Sequence, residues 1–302
     1  MTSIAATSTT TTGALGAWFL AARPKTLPAA VSPVIVGSAV AASEGQFAAA
    51  PAVAALLVAV LLQIAANFAN DVADFRRGAD TGERLGPVRV TQSGLLTPRQ
   101  VTIATGATLA LAAIPGLYLV WLGGPGLAVL GLLAIAAAVT YTAGPKPFGY
   151  LGLGEIFVFL FFGPVAVAGT AYVMTGAVSA LATAAAVPTG CLITAILVVN
   201  NLRDIETDRA SGKRTLAVRI GVEATRREYL FLLVVAYLAP LFLWLSGLTS
   251  VGPMLTWATL PMATVLTRRV WRVNGRALNP VLAGTARLAL WFAIALAIGL
   301  VW

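Results

Sequence analysis

The chain has 302 residues, of which 59% are hydrophobic and only 10% are charged, and its formal net charge is +9. With a mean hydropathy of +0.88, this composition excludes an ordinary soluble domain and indicates an integral membrane protein. The sequence has no histidine, which excludes histidine-ligated haem or zinc sites and Ser-His-Asp hydrolysis. A bound metal must therefore be held by oxygen ligands, which favours Mg²⁺, Ca²⁺ or Mn²⁺.

Apolar segments long enough to cross about 30 Å of hydrocarbon recur along the chain. They predict an all-α membrane protein with nine transmembrane helices, since strand-period alternation is absent and a barrel is disfavoured. The Thr-rich start predicts a disordered tail over residues 1–13, and a single transmembrane domain follows over residues 14–302. In chain order, the predicted spans are 27–43, 48–70, 101–121, 124–142, 154–175, 179–202, 229–247, 250–267 and 281–302.

The positions of the charged residues predict how these helices cross the membrane. If the N-terminus lies inside, nine spans place all 20 Lys and Arg residues on the inner side, together with every acid except Glu44. Such an excess of basic residues is typical of the cytoplasmic face. We interpret the net positive charge as this topology signal and as an attraction to anionic lipid, and not as a sign of nucleic-acid binding.

Two clusters of carboxylate and amide residues stand where predicted spans end on this face. Helical periodicity places the members of each cluster on one side of a helix. The clusters also align as a short internal repeat at equivalent places in both halves of the chain. Their members are Asn67, Asn70, Asp71 and Asp74 in the first, and Asn200, Asn201, Asp204 and Asp208 in the second.

Packed carboxylates near a bilayer repel one another, and a divalent cation that carries a phosphate ligand relieves the repulsion. No GxxxxGK[ST] loop is present, so the phosphate is not bound as in P-loop NTPases. In a membrane, this combination favours an allylic diphosphate whose hydrocarbon tail lies among the helices. Neighbouring donors to diphosphate oxygens are Arg76, Arg77, Arg84, Arg89, Arg203, Lys213 and Arg214.

Ionisation of an allylic diphosphate leaves a carbocation that must be shielded from water until an acceptor attacks it. The faces of aromatic rings stabilise such a cation. The candidates for an aromatic wall are Tyr141, Phe157, Phe159, Phe161, Phe162 and Tyr172.

The sequence blocks around these residues resemble a known family. An NDxxD block near the end of the second predicted helix, and a DxxxD block followed by GKxT near the end of the sixth, are similar to the paired motifs of the UbiA superfamily of intramembrane prenyltransferases. The similarity runs from about residue 18 to the C-terminus and is strongest to one branch, the 1,4-dihydroxy-2-naphthoate polyprenyltransferases. The matching blocks are RPKTLP (23–28), NDVADFRRGAD (70–80), GPVRVTQSG (86–94), YTAGPKPFGYLGLGE (141–155), FFGPVAV (161–167) and NNLRDIETDRASGKRTLAVRIG (200–221).

The resemblance implies nine transmembrane helices around a central cavity, capped by two acidic-motif loops on the cytoplasmic side of a bacterial plasma membrane. It implies Mg²⁺ as the cofactor, with Asp71, Asp74, Asp204 and Asp208 as its ligands and as the catalytic residues. It places Asn67, Asn70, Asn200 and Asn201 close to the diphosphate, and we add Arg76, Asp80 and Lys213, which follow the two motifs, as further candidates for binding it. One spacing departs from the broader superfamily, which would place the last acid of the first motif at position 78, whereas this chain has Gly78 and the acid follows at Asp80.

The resemblance also implies the reaction. A polyprenyl group passes from polyprenyl diphosphate to 1,4-dihydroxy-2-naphthoate with loss of diphosphate and CO₂, which gives demethylmenaquinone for menaquinone biosynthesis. The alternatives are a prenyltransferase for another aromatic acceptor, such as 4-hydroxybenzoate, and, from another class, a membrane transporter. The isoprenoid length and the oligomeric state stay open. The residues that we expect to orient the acceptor are Arg89, Gln92, Tyr141, Lys146 and Glu155.

Overall fold

A computed structural model describes residues 13–78, 85–144 and 147–302 of the chain. Every regular element within these ranges is helical. Most of the predicted tail and the predicted site residues Asp80 and Lys146 lie outside the described residues. The α-helices are α1 Ala14–Ala22, α2 Pro28–Ser43, α3 Ala49–Arg76, α4 Pro98–Gly123, α5 Pro125–Thr140, α6 Gly154–Leu160, α7 Gly169–Thr175, α8 Ala180–Ala210, α9 Leu216–Leu245, α10 Leu260–Arg272 and α11 Asn279–Val301.

The number of membrane-spanning helices is smaller than predicted when length and apolarity are the criteria. Within the described residues, six helical segments qualify, and α1 with α2, bent by 50°, would make a seventh. The predicted span 250–267 begins as a 3₁₀ segment, Gly252–Thr259, and α10 carries three arginines toward its end. Helix α5 has only 16 residues. The all-helical fold is therefore confirmed, whereas the count of nine spans is not.

One span changes its helix type in the middle. Helices α6 and α7 are joined by a π-helical segment, Phe161–Ala168, so that the chain runs without a break from Gly154 to Thr175. Pro164 lies within the π segment. Because proline has no N–H to donate and its ring crowds the preceding turn, it favours such a departure from regular α-helical bonding. The wider turn lies directly beside the central cavity.

Helix α8 forms the centre of the bundle. It packs against α2, α9, α11 and the π segment, and most of its membrane-depth residues are buried. Small residues allow the closest approach, because a Cβ added at Gly190 would lie 2.9 Å from the Phe159 ring and one at Gly163 would lie 2.9 Å from the Ala186 carbonyl oxygen. This packing holds the polar end of α8 opposite the polar end of α3.

Candidate active site

A cavity of about 710 Å³ opens between α2, α3, α4, α5, the π segment and α8. Most of its lining is alanine, leucine, valine and phenylalanine, which suits a hydrocarbon chain. Its polar lining comes mainly from the inner ends of α3 and α8 and from the segments beside them. These polar residues include Asn70, Asp74, Arg89, Tyr141, Tyr150, Asn200, Asn201, Asp204, Asp208 and Lys213.

The first motif reaches the cavity because α3 extends six residues beyond the predicted end of its span, from residue 70 to Arg76. Asn70 and Asp74, one turn apart, line the cavity wall. The hydroxyl of Thr142 donates a 2.6 Å hydrogen bond to the Asn70 side-chain oxygen. This contact ties the first motif to the segment that follows α5.

Asp74 is the most heavily hydrogen-bonded acid of the site. Its Oδ2 accepts from an Arg89 nitrogen at 2.8 Å, and its Oδ1 accepts from the Tyr150 hydroxyl at 2.6 Å and from the Lys213 ammonium at 3.3 Å. The Asp74 side chain is only 3% exposed, so these donors replace water around the carboxylate. Three separate segments therefore converge on one side chain.

Tyr150 is held as a neutral hydrogen-bond donor. Burial, followed by the adjacent Asp74 carboxylate, raises the pKa of the Tyr150 phenol above its ordinary value. The Lys213 ammonium lies 4.6 Å from the centre of the Tyr150 ring, a distance typical of a cation–π contact. Lys213 therefore lies over the face of the Tyr150 ring, and both side chains donate to Asp74.

The second motif is organised by an arginine from the same helix. Arg203 donates to both carboxylate oxygens of Asp204, at 2.8 and 2.5 Å, and to the side-chain oxygens of Asn200 and Asn279, each at 2.9 Å. Arg203 is buried, with 3% exposure. A fixed guanidinium fork therefore orients the motif and balances one of its charges.

Lys213 connects the two motifs. Its ammonium lies 3.3 Å from Asp74 on α3 and 3.9 Å from Asp208 on α8. The chain turns back after α8 at Gly212, which has a left-handed φ of 76° that favours glycine. That turn brings the next residue, Lys213, over the polar end of the cavity.

This arrangement fits a hard divalent cation. Within the described ranges, no three acidic side chains lie close enough together to hold a metal, and Asp74 and Asp204 are paired with Arg89, Lys213 and Arg203. The donors that face one another are carboxylate and amide oxygens, which Mg²⁺ prefers. A positive charge, the Lys213 ammonium, already lies between Asp74 and Asp208. The residues that would hold Mg²⁺ are Asp74, Asp204 and Asp208.

Asp71 and Asn67 do not line the cavity. Successive helical residues are rotated by about 100°, so Asp71 points well away from Asn70. Its carboxylate accepts hydrogen bonds from the backbone N–H groups of Val90 and Thr91, at 3.2 and 3.0 Å. Asn67 donates to the Ala22 carbonyl oxygen at 2.9 Å. Both residues attach neighbouring segments to α3, and the metal and substrate contacts that the resemblance implies for them stay a prediction.

Three further predicted residues, Arg76, Gln92 and Glu155, are also absent from the cavity lining. Arg76 donates to the Thr102 hydroxyl at 3.2 Å on another side of α3, and Gln92 is absent from the cavity lining. Glu155 is buried behind the wall, where its Oε1 accepts from the Asn201 side-chain nitrogen at 2.8 Å. Asn201 itself lines the cavity, so Glu155 orients an amide of the cavity lining.

An aromatic wall borders the cavity. The Tyr141 ring packs edge-on against the Phe148 ring. The Phe148 ring stacks on the Phe157 ring with centroids 4.1 Å apart, and the Phe157 and Phe161 rings are also stacked. Of the other candidates, Phe162 lines the cavity, whereas Phe159 and Tyr172 do not.

The sequence analysis did not select Phe148 or Tyr150, which both line the cavity. Phe148 and Tyr150 lie in the block YTAGPKPFGYLGLGE, where two more aromatic residues beside Tyr141 were the available signal.

Comparisons with known proteins agree with this fold. The model of the UbiA prenyltransferase family matches residues 30–292. The chain is 45% identical to a 1,4-dihydroxy-2-naphthoate octaprenyltransferase of Mycobacterium tuberculosis, over 93% of this chain and 95% of that protein. It is 39% identical to the enzyme of that name from Escherichia coli, over 91% of each chain.

A solved structure shares the fold. The UbiA homolog from Archaeoglobus fulgidus bound to GPP and Mg²⁺ matches with a TM-score of 0.65 and 17% identity, over 93% of this chain and 99% of that one. The family match covers most of the described helices, including both acidic motifs. The chain therefore belongs to the UbiA prenyltransferase family.

Proposed function

We propose that this protein transfers a polyprenyl group from polyprenyl diphosphate to 1,4-dihydroxy-2-naphthoate, with release of diphosphate and CO₂, to give demethylmenaquinone. The observation that carries the proposal is the placement of both acidic motifs at the polar end of one long apolar cavity. The acceptor is inferred from the names of the two relatives at 39% and 45% identity.

The diphosphate would lie between the ends of α3 and α8. Mg²⁺, held by Asp74, Asp204 and Asp208, would supply positive charge that favours departure of the diphosphate. Support for the metal comes from these oxygen donors and from the related fold that holds GPP and Mg²⁺. Arg89 and Lys213, now bonded to Asp74, carry the donors that would bind diphosphate oxygens.

The rest of the cavity would hold the hydrocarbon tail and exclude water. The Phe148, Phe157 and Phe161 rings form a continuous apolar wall beside the polar end. Their faces would stabilise positive charge on the departing allylic carbon. Exclusion of water from this wall would leave the aromatic acceptor as the available nucleophile.

The acceptor would lie near Tyr141 and Asn201. Tyr141 supplies a hydroxyl at the cavity lining, and Asn201 supplies an amide that Glu155 holds in position. These groups would orient the hydroxyl groups of the naphthoate, whose ring is electron-rich enough to attack without a strong protein base. Asn70 and Asn200 would complete the polar lining.

We also propose that the protein is a bacterial plasma-membrane enzyme with a single membrane domain over residues 14–302. The N-terminus and the acidic end of the cavity would face the cytoplasm, with nine passes when α5 and the segment with α10 are counted as crossing. The support is the concentration of basic residues at one end of the predicted spans.

The acceptor can be tested with purified protein, one prenyl diphosphate and Mg²⁺, offering each aromatic acceptor separately and identifying products by mass spectrometry. We expect a decarboxylated, prenylated naphthoquinol or its quinone from 1,4-dihydroxy-2-naphthoate. A product from 4-hydroxybenzoate, with none from the naphthoate, would contradict the proposed acceptor.

A further inference from the structure

A second cavity lies on a different side of α3 from the proposed active site. It has a volume of about 290 Å³ and lies between α3, α4 and the end of α5. None of its lining residues also lines the 710 Å³ cavity. The lining consists of Ala69, Val72, Ala73, Arg76, Arg77, Thr102, Thr105, Val139, Ala143 and Gly144.

The inner wall of this groove is apolar and made of small side chains. Ala69, Val72 and Ala73 are buried at the α3 side, and Val139 and Ala143 contribute the α5 side. The Thr105 hydroxyl donates a 2.8 Å hydrogen bond to the Val101 carbonyl oxygen within α4, so its donor is satisfied. The groove therefore offers hydrocarbon contacts along most of its wall.

Two guanidinium groups border the groove. Arg76 and Arg77 are both exposed at the end of α3. Arg76 donates to the Thr102 hydroxyl at 3.2 Å, and Arg77 donates to the Gly144 carbonyl oxygen. These contacts hold both cations beside the apolar wall. Among the residues that the structure describes, the groove lining contains no acidic side chain.

We propose that this groove binds one anionic phospholipid, with its phosphate on Arg76 and Arg77 and part of an acyl chain along the alanine and valine wall. Basic pockets between membrane helices are suited to anionic lipid headgroups. A prenyl diphosphate shares the anionic headgroup and oily tail, but it binds with a divalent metal, for which the described part of the groove lining offers no carboxylate. The charge complementarity therefore selects a phospholipid.

The test uses full-length protein purified in detergent and stripped of lipid, then titrated with phosphatidylglycerol or with phosphatidylcholine of the same acyl chains. Native mass spectrometry counts the lipids retained. We expect one phosphatidylglycerol to be retained, with phosphatidylcholine binding at least about tenfold weaker. Arg76→Gln should weaken phosphatidylglycerol binding about fivefold, as expected for one basic residue at a lipid surface.

A matched control and two steric variants sharpen the test. Arg99→Gln removes an equal charge from the exposed first turn of α4, outside the groove, and should leave retention unchanged. Ala73→Leu on α3 and Ala143→Leu in the turn after α5 fill the groove from two sides without altering charge, and each should reduce retention; variants must elute as monodisperse protein. Equal retention of both lipids, unchanged retention in Arg76→Gln and both leucine variants, or displacement by an equimolar prenyl diphosphate would overturn the proposal.

Discussion

Asp74 and Asp71 are three residues apart on α3 and yet have different surroundings. Asp74 lines the cavity and accepts from a tyrosine and two basic side chains. Asp71 faces the 85–97 segment and accepts from two backbone N–H groups. We infer that Asp74 belongs to the chemistry, and that Asp71 positions the segment that brings Arg89 to Asp74.

Asp74→Asn should lower kcat at least about 100-fold. The substitution removes a charged oxygen donor for the metal, and loss of a few kcal/mol of charge stabilisation corresponds to that factor. Steady-state prenyl transfer by purified protein measures the change. Glu206→Gln removes an exposed acid of α8 that pairs with Arg209, and it should retain activity within about twofold. A fully active Asp74→Asn variant would argue against the metal assignment.

Asp71→Ala should chiefly reduce stability. It removes both hydrogen-bond acceptors from the Val90 and Thr91 N–H groups, at a cost of about 2–3 kcal/mol. Thermal unfolding in detergent should show a lower Tm, and Asp71→Asn, which keeps one acceptor oxygen, should recover part of the loss.

The Mg²⁺ dependence separates the two aspartates. We expect the Mg²⁺ concentration for half-maximal activity to stay the same in Asp71→Asn, because Asp71 lies off the cavity. A several-fold rise in that concentration would show that Asp71 ligates the metal after all.

At the scale of helices, glycines allow neighbouring segments of the bundle to pack closely. A Cβ added at Gly37 on α2 would lie 2.4 Å from the Val167 carbonyl oxygen and 2.7 Å from the Thr170 Cβ. Gly37→Ala should therefore destabilise the protein by about 1–3 kcal/mol through overpacking. The measurement is thermal unfolding beside Gly169→Ala, since nothing lies within 4 Å of a Cβ at Gly169. Equal Tm values for the two variants would contradict this packing.

Much of the element-level architecture follows from the residues. Helical spacing correctly grouped Asn70 with Asp74, and Asn200 and Asn201 with Asp204 and Asp208, on cavity-facing parts of α3 and α8. Spacing defines an angle on one helix, but it does not define which segment packs there. For this reason it did not show that Asp71 meets Val90 and Thr91.

Long-range contacts were the least predictable part of the site. Tyr150 and Lys213 approach Asp74 from 76 and 139 residues away. Their positions depend on the turns after α5 and α8, whose direction is set by tertiary packing. The 3₁₀ segment Gly252–Thr259 before α10 was likewise not predicted, because it lies in an apolar stretch and hydropathy does not distinguish a 3₁₀ segment from an α-helix.

At the scale of the whole molecule, charge distribution sets the expected orientation. Ser211 follows α8 at the acidic end, and Ser246 follows α9 at the opposite end by topology; both are exposed. In a Cys191→Ala background, Ser211→Cys should react with a membrane-impermeant maleimide only in inside-out vesicles. Ser246→Cys should react only in intact cells stripped of their outer layers. The reverse pattern would contradict a cytoplasmic acidic end.

The central claim is that the two acidic motifs jointly bind one metal-bound prenyl diphosphate. The most direct measurement is an experimental structure of the protein with Mg²⁺ and a non-reactive prenyl thiodiphosphate. We expect the headgroup and metal between Asp74, Asp204 and Asp208, with Lys213 on a diphosphate oxygen and the tail in the 710 Å³ cavity. A headgroup bound elsewhere, with no metal between α3 and α8, would contradict the account.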